Sequence, residues 1–297
     1  MQKQGGKLLP REKESPGNSR QKTNARERKY QERLEKLKGL RPMDDDFLRV
    51  MFRDNLPLAQ MTLRIIMKKE DLVLTSFHTQ EDMKQITGAR SICLDAYAVD
   101  GEGRCYDLEI QRADAGADPH RARYHSSMLD VKNLRAGQEF TELPDTYVIF
   151  ITEKDFFRRG KALYAVERTN RGTDEPYGDG SHIIYVNGEY QGEDDLGRLM
   201  HDFNCSKADE MHYELMAEKT RYLKETAEGV RMMCKIVEEM CDESREEGRE
   251  EGTVFTLSAL VRDGILPMED AAVRAGMTVD ELRARIRELE NAGGVVL

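Results

Sequence analysis

Long apolar runs are missing from this 297-residue chain: no uncharged stretch approaches the roughly 18–20 residues that a membrane span needs. The segment MQKQGGKLLPREKESPGNSRQK at the amino terminus has no apolar centre of the kind a secretory signal carries, so a cytoplasmic location is the default expectation. Cysteine is scarce and unpatterned. Cys93, Cys105, Cys205, Cys234 and Cys241 are odd in number and no two stand as C-x-x-C, which argues against a zinc ribbon or a disulfide framework and leaves reduced thiols as the expectation. No internal repeat is visible, which excludes a repeat array.

What is present suits a water-exposed globular protein with a modest core: 39% of residues are hydrophobic and 34% charged. The length allows one mid-sized domain with appendages, or two small domains. The net charge of −10 hides a division, because residues 1–41 hold 13 Lys/Arg against 5 Asp/Glu and the remainder holds 33 against 51. A basic arm on an acidic body points to an anionic partner such as nucleic acid, or to a solubilising tail. The arm's first two dozen residues are too poor in apolar groups to offset the cost of ordering. Leu34, Leu37 and Leu40 then fall at helical spacing until Pro42 ends the pattern.

From Met43 the character changes. DDDFLRVMFRDNLPLAQMTLRIIM reads as two amphipathic helices around Asn55–Pro57, and LVLTSFHTQ as a first strand. Strands follow over Ser91–Val99 and Cys105–Gln111, around the turn DGEGR. RARYHSSMLDVKNLRAG predicts a helix whose apolar side is Tyr124, Met128, Val131 and Leu134, closing at Gly137 and leaving His125 exposed rather than catalytic. TYVIFIT is a continuous apolar run, as a buried central strand requires, and ALYAVER and SHIIYVNG add further strands. The order predicts a mixed α/β core followed by helices from about residue 205.

The hairpin keeps acids where a core strand favours Val or Leu. Alternation places Asp107, Glu109 and Gln111 on one face of their strand, and Cys93, Asp95 and Tyr97 on one face of the other. If DGEGR is a five-residue loop, Val99 pairs with Cys105 and Asp95 lies opposite Glu109, roughly 5 Å apart at Cβ. Two like charges at that separation call for something positive between them, and a divalent cation such as Mg²⁺ fits hard carboxylate oxygens. The other reading is an ordinary solvent face of an edge hairpin.

From about Met43 to Cys205 the chain resembles the recombination-promoting nuclease and transposase group of the PD-(D/E)XK nuclease superfamily. The resemblance is carried by DDDFLRVMFRD, LDAYAVDGEGRCYDLEIQR, RARYHSSMLDVKNLRAGQEFTELPDTYVIFIT and FFRRGKALYAVER, in the family's order and spacing. It implies a restriction-endonuclease-like core, a mixed sheet flanked by helices, that hydrolyses DNA phosphodiester bonds. It further implies Asp95 and Glu109 as ligands of Mg²⁺ or Mn²⁺, the Ile110 main-chain carbonyl as a further ligand, and Gln111 at the place of the superfamily's Lys. Gln111 orients water but carries no charge with which to acidify it; this departure is common in the group. Leu48 and Arg49 stand where the family block has Phe and Lys. Asp46 is either an outer-shell acid or the N-cap of the first helix. Arg112 and Arg121 are candidate phosphate contacts, and Tyr124 is either a DNA contact or core.

The carboxy-terminal third divides into a helical and charged segment over 206–252 and a small helical hairpin over 253–297, after an arm over 1–41 and a nuclease-like domain over 42–205. Leu223, Val230, Met233, Val237 and Met240 form an apolar seam for packing on the core or on a second copy in a homodimer. LPMEDAAVRAGMTVDELRARIRELE resembles a helix-turn-helix, with Ala272 in its first helix, Gly276 at the turn and Thr278 capping the second. Arg283, Arg285 and Arg287 would have to reach DNA past Asp280, Glu281, Glu288 and Glu290, so packing or protein contact is favoured. The expected function is a Mg²⁺-dependent DNA endonuclease. The alternatives are a non-catalytic DNA-binding or regulatory protein on the same fold, and a protein–protein adaptor built on the acidic helical end.

Overall fold

The computed structural model describes residues 28, 31, 34–83, 92–112 and 114–291. The predicted basic arm therefore lies outside the described residues except for residues 28, 31 and 34–41, where a helical turn buries Leu37. The chain divides into two units, Met1–Met233 and Cys234–Leu297.

In the first unit the β-branched and aromatic runs become strands β1 (Leu74–Met83), β2 (Ile92–Asp100), β3 (Cys105–Gln111), β4 (Thr146–Thr152), β5 (Leu163–Val166) and β8 (Ser181–Asn187). They form one six-stranded sheet in the order β1-β2-β3-β4-β8-β5, with β6 (Thr169–Asn170) and β7 (Glu175–Pro176) pairing separately. β1, β2 and β3 are antiparallel neighbours, β3, β4 and β8 run parallel, and β5 returns antiparallel on β8. The bounds of β3 and β4 are those predicted. In β4 every residue but Tyr147 is buried, the burial on both faces that a parallel central strand requires.

A parallel β3–β4 pair needs a crossover, and helix α3 (Pro119–Asn133) lies in it. α3 covers the face of Tyr97, Val148, Phe150 and Tyr185 with Ala122, Met128 and Leu129. The opposite face carries Phe77, Ala98 and Tyr106 and is packed by α1 (Asp45–Phe52) and α2 (Leu56–Met67), and α4 (Asp195–Asn204) and α5 (Glu214–Glu225) follow β8. Phe52 of α1 joins the layers, its ring 6.4 Å from Phe77 and 6.3 Å from Phe203.

The predicted apolar side of α3 is corrected. Ala122, His125, Ser126, Met128 and Leu129 are the buried residues, whereas Val131 is 40% exposed and Tyr124 only partly buried. Apolar residues are spread around this helix, and the sheet beneath it offers acids as well as apolar groups, so the stripe that fits is mixed, with His125 and Ser126 beside Ala122, Met128 and Leu129. The helix also ends at Asn133 rather than at Gly137.

The β2–β3 turn is built on Asp100, whose Oδ1 accepts from the Glu102 and Arg104 amides (3.0 and 2.9 Å) and whose Oδ2 accepts from Arg104 Nε (2.7 Å) and the Tyr106 hydroxyl (2.9 Å). Burial alone would raise the Asp100 pKa, but the bonds from Arg104 and Tyr106 outweigh it and hold it below the usual carboxylate range. Asp100→Ala orphans these donors, one of them on a fully buried tyrosine, and should destabilise the fold by about 2–4 kcal/mol, read as a lower denaturant midpoint with unchanged slope.

In the second unit the charged, Gly-punctuated stretch is helical, being part of α6 (Ala227–Arg262). The predicted seam is broken at Thr226, whose hydroxyl accepts from the Gly229 amide (3.0 Å) between α5 and α6. Leu223, Val230 and Met233 are buried, and the side chains of Val237 and Met240 lie outside the described residues. Helix α7 (Met268–Ala275) ends on Gly276, whose φ of +68° is the left-handed geometry that glycine accepts without strain. Thr278 then exchanges bonds with Glu281 (2.8 and 3.3 Å), a capping box that opens α8 (Val279–Asn291). Val254, Leu257, Ala271, Ala272 and Leu282 form this unit's core. Among the described residues no helix is long and apolar enough to cross a membrane.

Candidate active site

The β2–β3 register runs from Val99–Cys105 to Ala96–Leu108, so the next opposed pair is Asp95 and Glu109, as the loop length predicts. There the two acids take over from the backbone ladder. The Asp95 amide donates to Glu109 Oε1 (3.0 Å), and the Ile110 amide donates to Asp95 Oδ2 (3.2 Å). Each carboxyl is held by the main chain of the other strand. The Ile110 carbonyl leaves β3 on the same edge as its amide, toward β2 and Asp95.

Asp107 precedes Glu109 on the same face, and α3 brings His125 down onto both. His125 Nδ1 lies 2.8 Å from Asp107 Oδ2 and 3.8 Å from Glu109 Oε1, with all three side chains fully buried. The expectation that His125 is exposed is overturned, because α3 buries His125 against the acids. Arg121, one helical turn earlier, donates from Nη2 to Glu109 Oε2 (3.1 Å) and from Nε to His125 Nε2 (3.2 Å). A guanidinium only donates, so Nε2 is the unprotonated nitrogen and Nδ1 carries the hydrogen that faces Asp107. Asp107 and His125 were not named as site residues from the sequence. Strand alternation placed Asp107 on the correct face, but no sequence signal placed His125 over it.

Burial raises the pKa of all three acids. For Glu109 the charges of Asp107 and Asp95 add to burial, against a small opposing effect of His125. Asp107 is pushed up to about 8 by burial, with Asp95 adding to it and Arg121 opposing. Asp95 is half-buried; its bond from Ile110 and the charges of Arg49 and Arg121 oppose the rise, while Asp45 adds to it. Burial and Arg121 lower the His125 pKa, which keeps the ring neutral.

The remaining predicted residues are placed as follows. Gln111 Nε2 donates to Glu109 Oε2 (3.4 Å). Its amide lies against Gly116, where an added Cβ would sit 1.8 Å from Gln111 Oε1. Gly116→Ala should therefore displace the Gln111 side chain from Glu109, read as a shift of its side-chain amide resonances with an unchanged melting temperature. Arg112 is half exposed and paired with Asp44 Oδ1 (3.3 Å) and Glu153 Oε2 (3.5 Å). Asp46 lies in the first turn of α1, whose N-cap is Asp44, so the N-cap expectation for Asp46 is corrected. With Asp45 and Arg112 it lines a recess of about 650 Å³. Tyr124 packs partly buried against the core under α3.

The donor set fits a divalent cation. Asp107 Oδ1 is buried with no hydrogen-bond partner among the described residues, and one candidate ligand atom each of Asp107, Glu109 and His125 lies within 4.8 Å of the other two; the acids are the available donors, because both His125 nitrogens are engaged. The three clustered carboxyl groups have raised pKa values despite the charges of Arg121 and Arg49, and a cation would balance their ionised forms.

A mixed sheet with helices on both faces and paired acids at the hairpin defines a restriction-endonuclease-like α/β fold with carboxy-terminal helices. The chain matches the PD-(D/E)XK nuclease family transposase over residues 55–253, about two thirds of its length, and it belongs to that family. No curated protein and no solved structure gives a significant match.

Proposed function

We propose that the chain is a metal-dependent DNA endonuclease of transposase or recombination-promoting type, in which Asp95, Glu109 and the Ile110 carbonyl hold Mg²⁺ or Mn²⁺. The observation that carries this reading is the cross-strand pair, two carboxyl groups each pinned by the opposite strand's amide and both of raised pKa. When bound, such an ion lowers the proton affinity of a coordinated water and neutralises charge on a phosphate.

The chain's own residues supply the rest. Gln111, held between Glu109 and Gly116, orients the attacking water by hydrogen bonding. Arg121 fixes Glu109 and His125 and, being 42% exposed, presents its outer edge to a phosphate. Arg112 is a rim contact that must leave Asp44 and Glu153 to reach DNA, Tyr124 supports the helix that carries Arg121, and Asp46 is an outer-rim acid. The basic arm of residues 1–41 adds phosphate affinity without sequence preference.

Nicking of supercoiled plasmid by the purified full chain tests this, with Mg²⁺ and with chelator. Nicking that needs the metal supports the endonuclease. DNA retardation without nicking favours the second reading, a DNA-binding protein on the same fold, for which the uncharged Gln111 and the Arg121–Glu109 pair speak. Neither cutting nor retardation removes both.

A further inference from the structure

We infer that His201 and His212 form a surface site for a borderline transition ion such as Zn²⁺ or Co²⁺, separate from the acid pair and oriented by the buried carboxylate of Asp202. His201 stands in the last turn of α4, and His212 lies in the connection that leads into α5. Their rings meet edge to face with centroids 4.6 Å apart, and one ligand atom each from His201, Asp202 and His212 lies within 4.8 Å of the other two.

Asp202 explains why the pair is preformed. It is fully buried, and its two oxygens accept from the amides of His212 (2.8 and 2.9 Å) and Tyr213 (2.8 Å), tying the start of α5 to the end of α4. Its Oδ1 also lies 3.0 Å from His201 Nδ1. Three amide contacts hold Asp202 as an acceptor, so His201 donates from Nδ1 and its Nε2 is the unprotonated nitrogen, on a side chain that is half exposed. A histidine whose other nitrogen bonds a carboxylate is the usual state of a metal-ligating imidazole. His201 is 47% exposed and His212 is exposed, and both line an open cavity of about 1190 Å³ with room for water ligands. Asp95, Asp107 and Glu109 do not line it.

The donor chemistry separates the two sites. Imidazole nitrogens suit Zn²⁺, Co²⁺, Ni²⁺ or Cu²⁺, whereas Mg²⁺ prefers oxygen ligands and suits the acids. Binding at His201 and His212 bridges α4 to the start of α5, so it acts on the stability of that connection and not on the hydrolytic step.

The test is Zn²⁺ titration of the full chain by calorimetry in excess Mg²⁺, with Co²⁺ absorption as an independent reading. The wild type should bind one Zn²⁺ that is lost, or weakened at least about tenfold, in His201→Gln and in His212→Gln. Zn²⁺ should raise the melting temperature of the wild type by roughly 3–8 °C and leave the double His variant unmoved. Both variants alter exposed side chains, so their metal-free melting should match the wild type. Absence of Zn²⁺ binding by the wild type, or equal binding by the His variants, overturns the site. Because no readout depends on DNA cleavage, failure of the endonuclease reading leaves this result standing.

Discussion

Glu109→Gln is expected to reduce Mg²⁺-dependent plasmid nicking at least about a thousandfold, roughly 4 kcal/mol of transition-state stabilisation. The substitution keeps size and keeps an acceptor for the Asp95 amide, which Glu109 Oε1 now receives at 3.0 Å. It removes the negative charge that Arg121 Nη2 meets at 3.1 Å and that the proposed metal requires. The fold should survive, because a buried carboxyl of raised pKa is replaced by a neutral group of the same shape. Wild type and variant purified side by side, with melting curves as the control, give the answer. Equal nicking by both would place the activity elsewhere or in a contaminant.

The second large effect is on stability against pH, and it centres on Asp107. With its pKa pushed up to about 8 by burial, the folded chain holds a proton that the unfolded chain releases near the ordinary carboxylate value. Stability from this group is therefore complete below the unfolded pKa and is lost as pH rises through the folded one. Without divalent metal, the unfolding free energy should fall by about 1 kcal/mol per pH unit between about pH 5 and 8. Asp107→Asn keeps an acceptor for His125 Nδ1, now 2.8 Å away, and removes the titration, so the slope should flatten and the variant should be the more stable form near pH 8. Asp107→Ala leaves the buried imidazole N–H without a partner and should cost about 1–3 kcal/mol at every pH. Denaturant unfolding at several pH values measures all three; a slope as steep in Asp107→Asn as in the wild type would assign the titration to Glu109 or Asp95, whose pKa values burial also raises.

The hairpin shows why part of this site could be read from one dimension. A strand's side chains alternate and a short loop fixes register, so the spacing from Asp95 to Glu109 already placed the pair opposite one another. The extents of β3 and β4 follow from their uninterrupted apolar and β-branched residues, and Gly276 and Thr278 mark the second unit's turn by local backbone chemistry alone. Helix α3 shows the opposite case. Its residues were sorted by hydrophobicity, which chose Tyr124 and Val131 over His125, yet a helix buries whichever stripe its partner surface can satisfy. That surface is Asp107 and Glu109, eighteen and sixteen residues earlier in the chain, and no local preference encodes their meeting with His125 and Arg121. Asp202, His201 and His212 follow the same rule, since only the docking of α5's entry onto α4 sets their geometry. What the sequence determined by itself was what rests on periodicity and turn chemistry: the extents of β3 and β4, the hairpin register, the opposed acid pair, and the turn and cap at Gly276 and Thr278. What the tertiary structure decided was which polar groups from distant elements share a desolvated space, because their energies depend on burial and partners that exist only after the layers have packed.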